Sequence, residues 1–107
     1  MIVIVCFAPE EAADTVRAAL ARAGAGAIGE YTACSFTSPG EGRFTPSAGA
    51  HPAIGQAGTA EVVAEVRIEC VCTRDRAGVA VRAMLEAHPY EEPAYHCYEA
   101  LTLQDLG

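Results

Sequence analysis

Residues 61–72 read EVVAEVRIECVC, the most regular alternation of polar and apolar side chains in this chain of 107 residues. A period of two is typical of a β-strand that buries one face only. The even-numbered residues share an apolar face made of Val62, Ala64, Val66, Ile68, Cys70 and Cys72. The odd-numbered residues share a charged face that includes Glu61, Glu65, Arg67 and Glu69. We therefore expect helices to cover the first face, and water or a neighbouring subunit to meet the second.

Two amphipathic helices are predicted, one on each side of this strand. The first begins near Pro9, which suits an opening turn, and its apolar residues recur at helical spacing up to a stop at Gly24. The second runs from Arg74 to His88. It ends there because Pro89 forces an extended conformation on the residue before it.

Three further segments are predicted to be strands. Residues 2–7 form an uninterrupted apolar run, Tyr31–Thr37 is rich in residues that favour a pleated surface, and Ala94–Leu103 supplies the last strand before a short acidic tail. Between residues 40 and 58 the chain is rich in glycine, proline and alanine, which predicts a long loop. Such a loop is usually functional, disordered or part of an interface.

The predicted order is strand, helix, strand, long loop or hairpin, strand, helix, strand. This is the β-α-β-β-α-β arrangement of the ferredoxin-like sandwich, an α+β fold in which two helices cover one face of an antiparallel sheet. Hydrophobic residues make up 51% of the 107 residues, which is enough for one core and too little for two. We expect residues 1–107 to form a single domain.

The composition argues against several classes of function. The 14 acidic and 7 basic residues give a net charge of -7, which would repel nucleic acid. No basic stretch precedes the apolar N-terminus, and Pro9 and two glutamates end it far short of a membrane span. Five cysteines cannot all pair within one chain, so we expect free thiols, with Cys70 and Cys72 in the core, in a reducing and therefore cytoplasmic compartment.

Imidazole and carboxylate groups form a candidate metal site. His88 lies three and four residues before Glu91 and Glu92, so nitrogen and oxygen donors converge around the turn, and His51 offers a further imidazole. In the alternative interpretation, His88 is a cation that caps the second helix, and the prolines only shape the turn. The sequence does not identify a cofactor, and a divalent metal ion is the candidate.

The glycine-rich loop is a second candidate site. Its glycines let the backbone approach a small ligand closely, and His51 would bind a metal or, together with Arg43, an anionic group. The candidate ligand-binding residues are Gly40, Gly42, Arg43, His51 and Gly55. A P-loop is excluded because the chain has no lysine, and no nucleophile is spaced from a histidine as in a known catalytic motif, so we expect no catalytic residues.

Two sets of short motifs carry a resemblance to known families. Ala87–Tyr95, which reads AHPYEEPAY, resembles the HPYE-x-P segment of CutA divalent-cation-tolerance proteins. Further motifs look like the PII-like domain that is inserted in YqfO-type proteins, the NIF-three-like dinuclear metal-centre proteins. These motifs are Gly29-Glu30-Tyr31, Cys34-Ser35-Phe36, Gly40–Pro46, Gly49–Gly55 and Glu61.

The resemblance implies a PII-like or CutA-like domain that packs as a trimer with its sheets turned inward. The charged face of residues 61–69 would then lie in the interface, where we expect Arg67 to pair with the neighbouring subunit. We expect a non-catalytic binding or assembly module that recognises a small ligand or partner through the long loop and the subunit clefts. The alternative is a CutA-type protein that binds a divalent cation or copper. The ligands of the dinuclear centre have no counterpart here, so no hydrolase activity carries over.

Overall fold

Four strands and two long helices follow one another in the predicted order. The computed structural model describes all residues, Met1–Gly107. Its elements are β1 (Ile2–Pro9), α1 (Ala13–Arg22), β2 (Phe36–Phe44), β3 (Glu61–Cys72), α2 (Arg74–Ala87), β4 (Tyr95–Glu99) and α3 (Leu103–Leu106), with one turn of 3-10 helix at Glu10–Ala12. None of the helices has the length and apolar composition that a membrane span needs.

The four strands form one antiparallel sheet in the order β2-β3-β1-β4. The predicted bounds of β3 are confirmed, and so is the ferredoxin-like α+β fold. The core lies between one face of the sheet and the two helices. Cross-strand partners share a face, and this face carries Ile4 of β1 with Cys70 of β3. Val16 of α1 and Met84 of α2 pack against it and are fully buried.

The other face of the sheet, here called the open face, is covered by neither α1 nor α2. It carries the odd-numbered residues of β1 and β3 and the even-numbered residues of β2 and β4. Val3 and Val5 are buried on it, between the larger side chains of the flanking strands. Phe36 and Tyr98 are not, with 70% and 46% of their surfaces exposed. The open face therefore presents aromatic surface to whatever lies opposite.

The predicted position of β2 is wrong. Tyr31 forms only an isolated bridge with Ile28, and the strand runs instead through residues 36–44, which include Pro39 and two glycines. Proline cannot donate to a sheet ladder, but β2 is an edge strand, where an N–H that faces away from the sheet needs no partner. The loop that follows is consequently shorter than expected and spans residues 45–60.

Other boundaries also differ from the prediction. Pro9 ends β1 rather than opening the first helix, and α2 stops at Ala87. The last strand is shorter, and the short acidic tail contains α3. Thr102 and Asp105 form a reciprocal capping box there, a sequence signal that accounts for this short helix.

The β2–β3 hairpin makes the molecule elongated. Its dimensions are 51 × 25 × 23 Å, and the radius of gyration is 15.1 Å, whereas a compact chain of this length would have about 13 Å. The far end of β3 lies beyond the helices, so Val62 is 53% exposed although it continues the apolar face. The outer end of this face is thus not part of the core.

Candidate functional site

A cavity of about 500 Å³ lies at one end of the open face. The hairpin supplies one wall, the loop of residues 45–60 a second, and the turn after α2 a third. Among its lining residues are the rings of Phe7, Phe44 and Tyr90, together with Pro46 and Ile54. The sheet, loop and turn thus enclose a largely apolar space of a size usual for small-molecule sites.

Glu65 and Tyr90 form the polar centre of this cavity. Glu65 has only 9% of its surface exposed, and the Tyr90 hydroxyl donates a hydrogen bond of 2.7 Å to its Oε2 atom. Burial, and then this hydrogen bond and the negative charge of Glu65, raise the pKa of the Tyr90 hydroxyl well above its ordinary value. Tyr90 therefore stays protonated and continues to donate to the carboxylate.

His88 positions the turn that carries Tyr90. Its Nε2 atom lies 2.6 Å from the Phe7 carbonyl oxygen, and the Tyr90 backbone N–H donates a hydrogen bond of 3.1 Å to its Nδ1 atom. A carbonyl only accepts, so Nε2 carries the proton and the ring is neutral. The side chain thus neither caps α2 as a cation nor offers a free nitrogen to a metal ion.

The predicted glycines have unequal surroundings. Gly42 lines the cavity, and a Cβ atom there would overlap the Glu65 carboxylate. A Cβ atom on Gly55 would lie 2.6 Å from Glu61 Cγ, and its φ of +90° also favours glycine. Gly40 has open space around it. Of the three, only Gly42 makes room for a group of the cavity.

Arg43 and His51 make different contacts at the cavity. Arg43 lines it, but its guanidinium is paired at 2.7 Å with the carboxylate of Glu41. The backbone N–H of His51 donates a hydrogen bond of 3.0 Å to Glu91 Oε1, which ties the loop to the turn. Arg43 is therefore less available to an anionic ligand than the sequence indicates, because its guanidinium already has a carboxylate partner.

The four predicted metal ligands are only partly brought together. Glu91 and Glu92 line the cavity and His51 is joined to Glu91 through its backbone, while both ring nitrogens of His88 are hydrogen-bonded elsewhere. No group of three or more histidine, cysteine, aspartate or glutamate side chains is arranged to hold a metal ion. Metal binding at these residues stays a prediction.

The cysteines do not contribute to the cavity. Cys6, Cys70 and Cys72 are buried in the core, as expected for the second and third of these, and all five thiols are free. His96 lies on the open face, opposite in direction to Cys97, so these neighbours cannot chelate one ion.

Sequence reasoning missed Glu65, Tyr90, Phe7 and Phe44 as site residues. Glu65 was placed correctly on the charged face of β3, and Tyr90 lies inside the HPYE segment. Nothing local, however, indicates that residues 25 positions apart share a hydrogen bond. Only the packing of the turn against the hairpin brings them together.

Comparison with known proteins supports the fold and finds longer proteins that contain a similar segment. No protein-family model matches the chain. It is 48% identical over 95 residues to a GTP cyclohydrolase 1 type 2 homolog of Halalkalibacterium halodurans, and 49% identical over 92 residues to that of Bacillus subtilis. These matches cover 89% and 86% of this chain but 26% and 25% of the relatives. The chain therefore spans about a quarter of the length of the curated relatives that it matches.

Solved structures give a similar result. A Bacillus cereus protein related to NIF3 superimposes with a TM-score of 0.78 and 43% identity, over 91% of this chain and 24% of that one. The periplasmic divalent cation tolerance protein CutA of Archaeoglobus fulgidus gives 0.68 with 17% identity, over 99% and 91%. The PII-like protein CutA of Nostoc gives 0.66 with 18% identity, over 94% and 81%. The chain is thus similar to one segment of the NIF3-related proteins and has the PII-like, CutA-like fold.

Proposed function

We propose that this chain is a non-catalytic module that assembles as a homotrimer through its open face and binds a small ligand in the cavity beneath the long loop. The observation that carries the proposal is the aromatic surface of the open face. Phe36 is 70% exposed there, and the rings of Phe7, His96 and Tyr98 follow one another at centroid distances of 6.4 and 6.3 Å. Exposed aromatic rings on one face of a sheet favour an interaction site there.

The elongated hairpin supports self-association. On the side opposite the open face, the outer part of β3 exposes Val62 and Ala64 and has no helix above it, so a lone chain leaves this surface in water. Arg67 is paired with Glu69 of its own strand at 3.1 Å and lies 5.9 Å from the Phe7 ring centroid, so its charge is balanced within the chain. A second copy on the open face would therefore meet aromatic rings and a neutralised pair.

The position of the cavity supports the ligand-binding part. Phe7, Gly42 and Glu65 belong both to the open face and to the cavity lining. A subunit packed on the open face would thus border the cavity and form a cleft with it.

We also propose that residues 1–107 form one domain, since a single core cluster joins both helices to the sheet. The free thiols support a reducing, cytoplasmic compartment for the protein.

Light scattering and a thermal-shift panel test this proposal. A chain of 11.1 kDa should give about three times that mass at micromolar concentration, because obligate interfaces of about 2,000 Å² or more leave no folded monomer. Metabolites of different charge, and metal ions, would be screened for a rise in melting temperature. A mass of one chain, together with no stabilising compound, would contradict the proposal.

The alternative function is binding of a divalent cation or copper. The observation that favours it is the hydrogen bond from the His51 backbone N–H to Glu91, which brings that residue close to Glu91 and the adjacent Glu92. The CutA neighbour from Archaeoglobus fulgidus is named for divalent cation tolerance. Isothermal titration with Cu²⁺ and Zn²⁺ tests it. Binding that is lost in His51→Ala but kept in His88→Ala supports this alternative, whereas absence of binding, or equal affinity in all three proteins, contradicts it.

A further inference from the structure

Glu65 is a buried carboxylate that lacks a cationic partner. It is nine-tenths buried, and it appears in no salt bridge. Tyr90 donates to Oε2, whereas Oε1 accepts no hydrogen bond from the protein and keeps some accessible surface, and Glu65 lines the cavity. A buried carboxylate normally needs a counter-charge and a full set of hydrogen-bond donors. Oε1 can therefore accept a hydrogen bond from a donor that enters from the cavity side.

The charges around the cavity point to a ligand of positive charge. Three further carboxylates, those of Glu41, Glu91 and Glu92, line it together with Glu65. The one cation of the lining, Arg43, is already paired with Glu41. An anionic ligand would meet this excess of negative charge in a partly enclosed space, where repulsion is stronger than in bulk water.

The walls of the cavity favour an organic cation over a bare metal ion. No three ligand side chains converge on a metal position, but the rings of Phe44 and Tyr90 lie 5.9 Å apart and Phe7 adds a third. Aromatic faces attract ammonium and guanidinium groups by cation–π interactions, and they bury the hydrocarbon part of such a ligand.

We propose that the cavity binds a small organic cation, an amine with an apolar body, whose ammonium group donates to Glu65 Oε1 and whose body packs against the rings of Phe7, Phe44 and Tyr90. This deepens the proposed function and rests on it. The hydrogen bond between the His51 N–H and Glu91 Oε1 closes the loop over the ligand. Gly42 leaves the space that the anchoring carboxylate occupies.

Isothermal titration with three probes of matched shape tests the proposal. The probes are 2-phenylethylammonium, its neutral counterpart 2-phenylethanol and the anion phenylacetate. We expect the ammonium to bind at least about tenfold more tightly than the alcohol, since a hydrogen bond to a charged group is worth that much or more, and phenylacetate not to bind. Glu65→Gln should lose about tenfold in ammonium affinity and keep its affinity for the alcohol.

Glu86→Gln is the matched control, because Glu86 is an exposed carboxylate on α2 that does not line the cavity. It should leave all three affinities unchanged. Equal affinity for ammonium and alcohol, no ammonium binding, or full ammonium binding in Glu65→Gln would overturn the proposal. If Glu65→Gln does not fold, NMR of the wild-type protein decides: shifts of the Phe44 and Tyr90 ring signals support the site, and shifts confined elsewhere refute it.

Failure of this proposal can be told apart from failure of the proposed function. A trimer that is stabilised by another compound of the thermal-shift panel, and not by the ammonium probe, contradicts only the assignment of an organic cation. A monomer that binds none of the compounds contradicts both.

Discussion

At the scale of single residues, His88 joins α2, the turn that follows it and β1. Its neutral ring connects the Phe7 carbonyl to the Tyr90 N–H, two backbone groups that are 83 positions apart in the chain. Because a buried polar group without a partner is costly, this one side chain holds the turn, and with it Tyr90, against the sheet.

His88→Ala should lower the free energy of unfolding by about 3 kcal/mol, because two backbone groups lose their partner. Urea denaturation measures this, and His51→Ala, an exposed loop histidine whose backbone contact is kept, is the control. An equal loss in both variants would contradict the bridging role of the His88 ring.

The buried thiols give a prediction about reactivity. Burial, chiefly, raises the pKa of Cys6 from its ordinary value of 9.0 to about 11 and that of Cys70 to about 12. Since only the thiolate reacts, a thiol reagent should modify these residues slowly in the native protein and quickly in denaturant, as mass spectrometry of labelled peptides would show. Cys97, which is exposed, is the internal reference. Equal native labelling of Cys70 and Cys97 would contradict the core.

The raised pKa values of the buried thiols also determine how the stability of the fold changes with pH. A raised pKa in the folded state contributes stability that is fully present below about pH 9 and is lost as the pH rises through 11 and 12. Stability should therefore fall on the alkaline side, and Cys70→Ala should flatten part of this fall.

At the scale of elements, the edge strand β2 contributes to the site through a glycine, which has no side chain. Two of its glycines are close in sequence, but only Gly42 faces the Glu65 carboxylate, while Gly40 faces open space. The strand thus provides a gap into which a side chain of β3 folds and from which it reaches Tyr90.

Gly42→Ala should displace the Glu65 carboxylate from Tyr90 and lower the free energy of unfolding by about 1–3 kcal/mol, the cost of a buried polar group without its partner. Gly40→Ala is the matched control on the same strand and should change it by about 0.5 kcal/mol or less. Denaturant titration of both variants measures the difference. Equal effects would show that the gap at Gly42 does not hold the carboxylate.

At the scale of the whole molecule, the open face determines how copies associate. If it is the interface, Phe36→Asp should reduce the mass in light scattering to that of one chain, because a charge would be buried against aromatic rings. Val79→Asp alters a residue of α2 that is 48% exposed on the helical side, and it should leave the mass unchanged. A trimer that persists in Phe36→Asp would place the interface elsewhere.

The sequence by itself determined the order of the elements and hence the fold. The period of two in residues 61–72, the helical spacing on both sides of it and the stop at Pro89 are local patterns that need no partner to be recognised. The edge position of β2 is not local, and the sequence therefore placed that strand wrongly: proline and glycine are tolerated only because no strand pairs with its outer side.

Only the tertiary structure decided the site. Glycine and histidine at residues 40–55 suggested a ligand loop, and two of the five residues expected to bind, Gly42 and Arg43, do line the cavity. The anchoring pair of Glu65 and Tyr90 comes from two elements, and the neutral state of His88 depends on a carbonyl of a third. Local sequence patterns specify which way a side chain points, whereas the atom that it meets is fixed by the packing of distant segments.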